Sequence, residues 1–122
     1  MRKEIQPVLK LTLEKEDRFF GPGVAELLEH IVEKGSIQAA CLEMDMSYSK
    51  GWKIIKRAEK ELGFSLLYTH NGGAHGGRSE LTTEGKEFLD QYRAVENRLK
   101  QEMEELFIHY FKEKEARGER CK

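Results

Sequence analysis

Apolar residues recur at spacings of three and four along much of the chain, the period that places them on one side of an α-helix. Residues typical of helix ends divide this pattern into short segments. Ser36 and Ser47 are predicted N-caps, while Gly35 and Gly63 are predicted C-caps. The pattern therefore predicts three consecutive helices, over residues 24–34, 37–44 and 48–62.

The third helix is expected to have two faces of opposite character. The apolar face, which we expect to turn toward the protein interior, consists of Tyr48, Trp52, Ile55, Ala58 and Leu62. The opposite face is cationic and polar. The second and third helices are joined by a tight turn at Asp45 and Met46, as in a helix-turn-helix, whose second helix is held out for insertion into a DNA groove.

Alternating apolar and polar residues predict strands on both sides of these helices. Residues 9–13 alternate in this way and predict an edge strand, while residues 19–23 are expected to form a turn. Two short segments over residues 66–70 and 78–81 flank a glycine-rich loop and predict a hairpin with a long tip. The predicted fold is mostly α with a small β-hairpin, a winged helix-turn-helix.

A long helix is predicted from an N-cap at Thr82 to about residue 115. Its apolar stripe is longer than the core of one small domain can cover, so we expect a second copy of the chain to cover part of it. The predicted dimerisation residues are Tyr92, Val95, Leu99, Leu106 and Tyr110. The alternative is that this helix folds back onto the first helix. We thus expect a DNA-binding domain over residues 1–82 and a dimerisation helix of the same domain over 83–116.

Length and composition agree with one helix-rich globular domain, since the 122 residues are 39% hydrophobic and 35% charged. No apolar stretch resembles a membrane span or a secretory signal. Cys41 lies in a predicted helix and Cys121 is the penultimate residue, a usage that does not indicate a disulfide framework. We therefore expect a cytoplasmic protein without a membrane partner.

The formal net charge of −1 conceals a local excess of positive charge. Between residues 47 and 78 lie six of the 21 basic residues and only two of the 22 acidic ones. Residues near the start of a recognition helix reach base edges, and later ones meet phosphates. The DNA-contacting residues predicted for the third helix are Ser47, Ser49, Lys50, Lys53, Lys56, Arg57 and Lys60. The alternative is a lysine-rich solvated face without this role.

The glycine-rich loop is predicted to be a second DNA contact, because glycines let the backbone approach phosphates or enter a minor groove. Its predicted contact residues are Asn71, Gly72, Gly73, His75, Gly76, Gly77 and Arg78, with His70 as a further source of charge. A nucleotide-binding loop is disfavoured because no Lys-Ser or Lys-Thr pair follows. No metal-ligand cluster and no nucleophile with a base partner can be recognised, so no metal, cofactor or catalytic residue is predicted.

These residues resemble the N-terminal DNA-binding domain of ModE-type molybdenum-dependent transcriptional regulators, itself similar to the helix-turn-helix of LysR-type regulators. The resemblance spans roughly residues 5–100. It rests on Gly35-Ser36-Ile37, Ala39-Ala40, Met46-Ser47-Tyr48 with Trp52, Gly72-Gly73, Gly76-Gly77, and Leu81-Thr82 with Gly85. It implies a winged-helix homodimer that binds operator DNA, with residues 47–60 as recognition helix and 71–78 as wing.

Full-length members of that family carry molybdate-binding domains after this module, whereas this chain ends near residue 122. We therefore expect a stand-alone regulator, in which any response to molybdate comes from a separate ligand-sensing partner or from a site without a recognisable motif. The predicted function is sequence-specific binding of double-stranded DNA in transcriptional regulation. The alternative is a winged-helix interaction module that pairs with another regulator through its last helix.

Overall fold

The computed structural model describes residues 4–70 and 77–112. The chain divides into two compact units, one from Leu11 to Gln91 and one that joins the segment up to Lys10 with the segment from Tyr92 onward. The elements are β1 (Leu13–Glu14), β2 (Arg18–Phe20), α1 (Pro22–Lys34), α2 (Ile37–Glu43), α3 (Tyr48–Leu62), β3 (Leu67–His70), β4 (Arg78–Leu81) and α4 (Thr83–Phe107), followed by a π-helical turn over Ile108–Lys112.

The ends of the first three helices lie at the predicted capping residues. The hydroxyl oxygens of Ser36 and Ser47 each accept a hydrogen bond of 3.1 Å from the amide three residues later. Gly35 and Gly63 end α1 and α3 with φ of 86° and 83°, a conformation that a glycine adopts without the steric cost of a Cβ. The three predicted helices and their capping residues are confirmed.

The segment before α1 differs from the prediction. Burial alternates from residue 9 to residue 14, but only Leu13–Glu14 forms a strand, and it pairs antiparallel with Arg18–Phe20. The turn predicted over residues 19–23 was wrong, because Phe19 and Phe20 are buried and belong to β2. α1 also begins two residues earlier than predicted, at Pro22, whose fixed φ suits the first helical position.

The core of the unit from Leu11 to Gln91 lies between α1, α2, α3 and the strands that contact them. Its largest fully buried side chains are Phe20, Leu27, Leu28, Ile31, Ile55, Leu66 and Cys41. Phe88 of α4 meets Phe20 edge to face at a ring-centroid distance of 4.8 Å. Burial of this kind is the main source of stability in such a domain.

The predicted hairpin of β3 and β4 is confirmed, with antiparallel pairs from Leu67 opposite Leu81 to His70 opposite Arg78. Its end is joined to α4 through Thr82, whose Oγ1 accepts a hydrogen bond from the Gly85 amide at 2.8 Å and donates one to the Ser65 carbonyl at 2.6 Å. A Cβ at residue 85 would lie 2.5 Å from the Leu66 carbonyl oxygen, so only glycine fits this approach. None of the helices described here has the length and apolar content needed to cross a membrane.

Candidate nucleic-acid interface

The corner between α2 and α3 sets the direction in which α3 leaves the domain. The Met46 amide donates to the Cys41 carbonyl at 2.9 Å, and Asp45 adopts a left-handed conformation with φ of 56°. Aspartate tolerates this region better than most residues because its short side chain can hydrogen-bond locally. The corner is therefore closed by backbone hydrogen bonding and one left-handed residue.

α2 and α3 approach closely at one point. A Cβ on Gly51 would overlap the Cys41 Sγ, closer than non-bonded atoms tolerate. Both residues are buried, and burial is the main cause that raises the pKa of the Cys41 thiol. Cys41 is thus a protonated packing residue, and the absence of a side chain at residue 51 fixes how closely α3 lies against α2.

All seven α3 residues predicted to contact DNA are exposed. The buried residues of the helix are Gly51, Ile55 and Ala58, so the side that carries the cations faces solvent. We call this surface the cationic face; its members are Lys50, Lys53, Lys56, Arg57 and Lys60, with Ser47 and Ser49 at its start. The arrangement presents positive charge along the length of a single outward helix.

The five cations of this face are not equivalent. Lys56 Nζ lies 3.2 Å from Glu59 Oε1, and Arg57 Nη2 lies 3.6 Å from Asp17 Oδ2. Within residues 4–70 and 77–112, Lys50, Lys53 and Lys60 have no carboxylate within ion-pair distance. These three lysines are therefore the cations most readily available to an anionic ligand.

The predicted inner face of α3 was wrong in its two aromatic residues. Tyr48 is 52% exposed and Trp52 is 44% exposed, while Gly51 takes the buried position beside Cys41. The physical reason is the close approach of α2, because a glycine is the only residue that the space beside Cys41 Sγ admits. The two aromatic rings are thereby placed at the edge of the cationic face.

The sequence indicates no role for Glu59 beyond that of an acidic residue on a charged helix. In the structure its side chain joins α3 to the hairpin. Its Oε2 accepts hydrogen bonds from the amides of Leu66 at 2.8 Å and Leu67 at 3.4 Å, and its side chain is 12% exposed. No local sequence signal identifies this role, because the amides lie seven and eight residues further along the chain. The contact fixes the start of β3 relative to the end of α3.

The wing prediction falls partly outside the described residues, since these omit Asn71, Gly72, Gly73, His75 and Gly76. Gly77 and Arg78 are both exposed, and a Cβ at residue 77 would lie 2.7 Å from the His70 carbonyl oxygen. His70 is also exposed, and its Nε2 lies 3.8 Å from Glu80 Oε1. The Ser79 amide donates to the Gly35 carbonyl at 2.9 Å, which ties β4 to the junction of α1 and α2.

Four of the five predicted dimerisation residues form an exposed stripe on α4 and the turn that follows it. This exposed stripe consists of Val95, Leu99, Leu106 and Tyr110. The fifth, Tyr92, is buried, and it therefore belongs to the packed side of the helix instead. Beside it lies Glu96, only 2% exposed, whose Oε1 is 2.6 Å from Arg93 Nη1. The sequence pattern does not indicate this ion pair.

Comparison with known proteins gives a family and a fold. The family model described as bacterial regulatory helix-turn-helix protein, lysR family, matches residues 24–86, which run from α1 into α4. The chain is 32% identical over 90 residues to the molybdenum transport protein ModE of Herbaspirillum seropedicae, covering 74% of this chain and 32% of that protein. It is also 32% identical over 78 residues to the transcriptional regulator ModE of Haemophilus influenzae, covering 64% of this chain and 31% of that protein.

Among solved structures, the CbnR_DBD-DNA complex matches 68% of this chain and 90% of that chain, with a TM-score of 0.53 and 22% identity. Full-length CbnR complexed with its target DNA matches 70% of this chain and 28% of that chain, with a TM-score of 0.54 and 21% identity. These matches establish the fold, so the predicted winged helix-turn-helix is confirmed, as is the resemblance to ModE proteins. The chain spans about a third of the length of the curated relatives named above.

Proposed function

Because the chain belongs to the lysR family of bacterial regulatory helix-turn-helix proteins, we propose that it is a transcriptional regulator that binds double-stranded DNA sequence-specifically. In this proposal α3 enters the major groove, with Ser49, Lys50 and Lys53 at base edges. Lys56, Arg57 and Lys60 contact phosphates. The loop between β3 and β4 meets the backbone or the minor groove.

The observation that carries the proposal is the outward cationic face of a helix whose position is fixed on its other side. α3 is held by the Gly51 contact with Cys41 and by the Glu59 bonds to the hairpin, so its direction is set before DNA arrives. A B-DNA major groove, about 12 Å wide, admits one such helix. Exposed lysines on that helix raise the affinity of the protein for DNA, because their binding releases counterions from the phosphates.

The proposal includes a homodimer formed through the exposed stripe of α4. A symmetric dimer binds two related half-sites, separated by about 34 Å or a multiple of that distance. The curated relatives in Haemophilus influenzae and Herbaspirillum seropedicae carry names that refer to regulation and to molybdenum transport. The proposal assigns this chain no catalytic step, and it places its action in the cytoplasm because bacterial DNA lies there.

The test begins by selecting bound fragments from genomic DNA, which yields the operator and the neighbouring genes. Binding to the operator is then measured for the protein, for Lys53→Glu and for Lys86→Glu. Lys86 is an exposed lysine on α4, outside the helix-turn-helix, and serves as the charge-matched control. We expect Lys53→Glu to abolish specific binding at an unchanged thermal midpoint, and Lys86→Glu to retain it.

Salt dependence separates DNA binding from binding to another protein. About six phosphate contacts predict a loss of roughly 10³-fold in affinity between 50 and 200 mM salt, whereas an apolar helix interface shows no such loss. Failure to select any duplex at low salt, or full binding by Lys53→Glu, would overturn the proposal.

A further inference from the structure

Tyr48 and Trp52 are the two large hydrophobic residues of α3 that the structure leaves exposed. They lie four residues apart and therefore on the same side of the helix, at its N-terminal half. Tryptophan and tyrosine carry large apolar areas, so this pair forms an exposed apolar patch on the helix. The patch lies at the edge of the cationic face, where a ligand of that face would cover it.

The ring of Trp52 has one charged neighbour. Lys56 Nζ lies 5.5 Å from the Trp52 ring centroid, close enough for a cation–π contact. The same ammonium is 3.2 Å from Glu59, whose other oxygen accepts the Leu66 amide. A chain of contacts thus leads from the hairpin to the indole ring.

The positive charge next to Trp52 and on the adjoining cationic face indicates the chemistry of that ligand. At 100° per residue, Trp52 lies about 40° around the helix from Lys56 and about 60° from Ser49. Lys53 and Lys50 are exposed on the same two turns, about 100° and 160° around the helix from Trp52. A partner that covers both Trp52 and the adjoining cationic face must accept its positive charge, which favours a polyanion with apolar groups exposed in a groove.

We propose that Trp52 and Tyr48 contact the 5-methyl groups of thymines in the operator, and that they thereby determine part of its sequence. This inference rests on the proposed function. Thymine is the base that presents a methyl group in the major groove, and apolar side chains recognise it there. Lys56, Arg57 and Lys60 supply affinity for any duplex, whereas the aromatic pair adds discrimination at the thymines that it contacts.

The test replaces each thymine of the selected operator in turn by deoxyuridine, which removes the methyl group and leaves base pairing intact. Affinities are measured for the protein, for Trp52→Ala, for Trp52→Phe and for Val32→Ala. Val32 is 58% exposed on α1 and serves as the matched control for loss of an exposed apolar side chain. Loss of one buried methyl contact predicts a decrease of about fourfold at the contacted thymine.

We expect Trp52→Ala to bind thymine and deoxyuridine operators equally at that position, because the group that senses the methyl is gone. Trp52→Phe should keep part of the discrimination, and Val32→Ala should keep all of it. Binding of Trp52→Ala to unrelated duplex should change less than twofold, since the lysines are intact.

A second readout needs no variant, because Trp52 is the single tryptophan of the chain. Acrylamide should quench its fluorescence freely in the unbound protein, and poorly when the operator is bound. Unrelated duplex should protect it less. Together with the deoxyuridine operators, which also need no variant, this measurement decides the question even if Trp52→Ala fails to fold.

The two proposals fail in different ways. If no duplex binds, the proposed function and this inference both fall. If the operator binds tightly while no deoxyuridine substitution matters and Trp52 stays accessible to acrylamide, the regulator remains and the thymine contact is overturned. The aromatic pair would then belong to a protein interface.

Discussion

α3 and α4 both expose apolar and charged side chains, but they distribute charge differently. The exposed charges of α3 are all cations, because its two acids, Glu59 and Glu61, are partly buried. The exposed charges of α4 mix both signs, with Glu102, Glu104 and Glu105 among the acids. Charge of one sign on an outward helix suits a polyanion, whereas mixed charge beside an apolar stripe suits another protein surface. Amphipathicity alone would not have distinguished the two helices.

The largest effect is expected on the α4 side of this comparison. Leu99→Asp places a carboxylate in the exposed stripe, where a symmetric interface would bury two copies without a partner. We expect the dimer to dissociate. Operator affinity should then fall by about 10²-fold or more, because the second half-site is no longer bound within one molecule. Sedimentation and operator titration measure both effects.

The matched control is Asn97→Asp, a nearly isosteric change that adds the same charge to an exposed position on the opposite side of α4 from the stripe. It should leave the dimer and its DNA affinity unchanged. A dimeric Leu99→Asp protein would show that the stripe is not the contact between copies.

The second test concerns the packing that directs α3. Gly51→Ala introduces a methyl group into the space of the Cys41 Sγ, and we expect a loss of about 1–3 kcal/mol in the free energy of unfolding. Adding Cys41→Ala removes the sulfur and should restore part of that loss. Denaturant unfolding of the single and double variants measures the coupling, and additive effects would contradict the contact.

A smaller effect is expected from the cations of α3, which should contribute unequally to the salt dependence of DNA binding. Lys60→Ala removes a lysine that is proposed to contact a phosphate and has no carboxylate partner in the described chain, so it should lower the salt dependence of log K by about one unit. Lys56→Ala removes a lysine that Glu59 already neutralises in part, and its slope should change less. Titrations at several salt concentrations decide this, and equal slopes for the two variants would contradict it.

The smallest effect is expected at the corner before α3. Asp45→Gly removes the steric cost of the left-handed conformation but raises the conformational entropy of the unfolded chain. The free energy of unfolding should therefore change by no more than about 0.5 kcal/mol. Asp45→Ala keeps the strain without the local hydrogen bonding of aspartate and should cost about 1 kcal/mol. Thermal unfolding distinguishes the pair; a stable alanine variant would show that the conformation carries no strain.

The helices could be predicted because their ends depend on neighbouring residues. The serine hydroxyls at positions 36 and 47 cap amides three residues away, and glycines at 35 and 63 supply the conformations that end helices. The outward direction of the lysines also follows from periodicity. These features need no knowledge of the tertiary structure.

The inner face of α3 could not be predicted in full because it depends on a neighbour from another helix. The apolar pattern favours Tyr48 and Trp52 as core residues, and it gives no weight to Gly51, whose role is to leave room for Cys41. The bonds from Glu59 to the hairpin and the burial of Glu96 are likewise tertiary. The missed residues are those whose partners lie outside their own local segment.

The hydrogen bond from the Ser79 amide to the Gly35 carbonyl bears on how the loop between the strands can vary. It fixes β4, which follows the loop, to the junction of α1 and α2. Insertions or deletions beyond His70 are therefore expected to leave the contact between β4 and the junction of α1 and α2 in place. Lengthening the loop is expected to change how far along a duplex the protein extends, while leaving the bases under α3 the same.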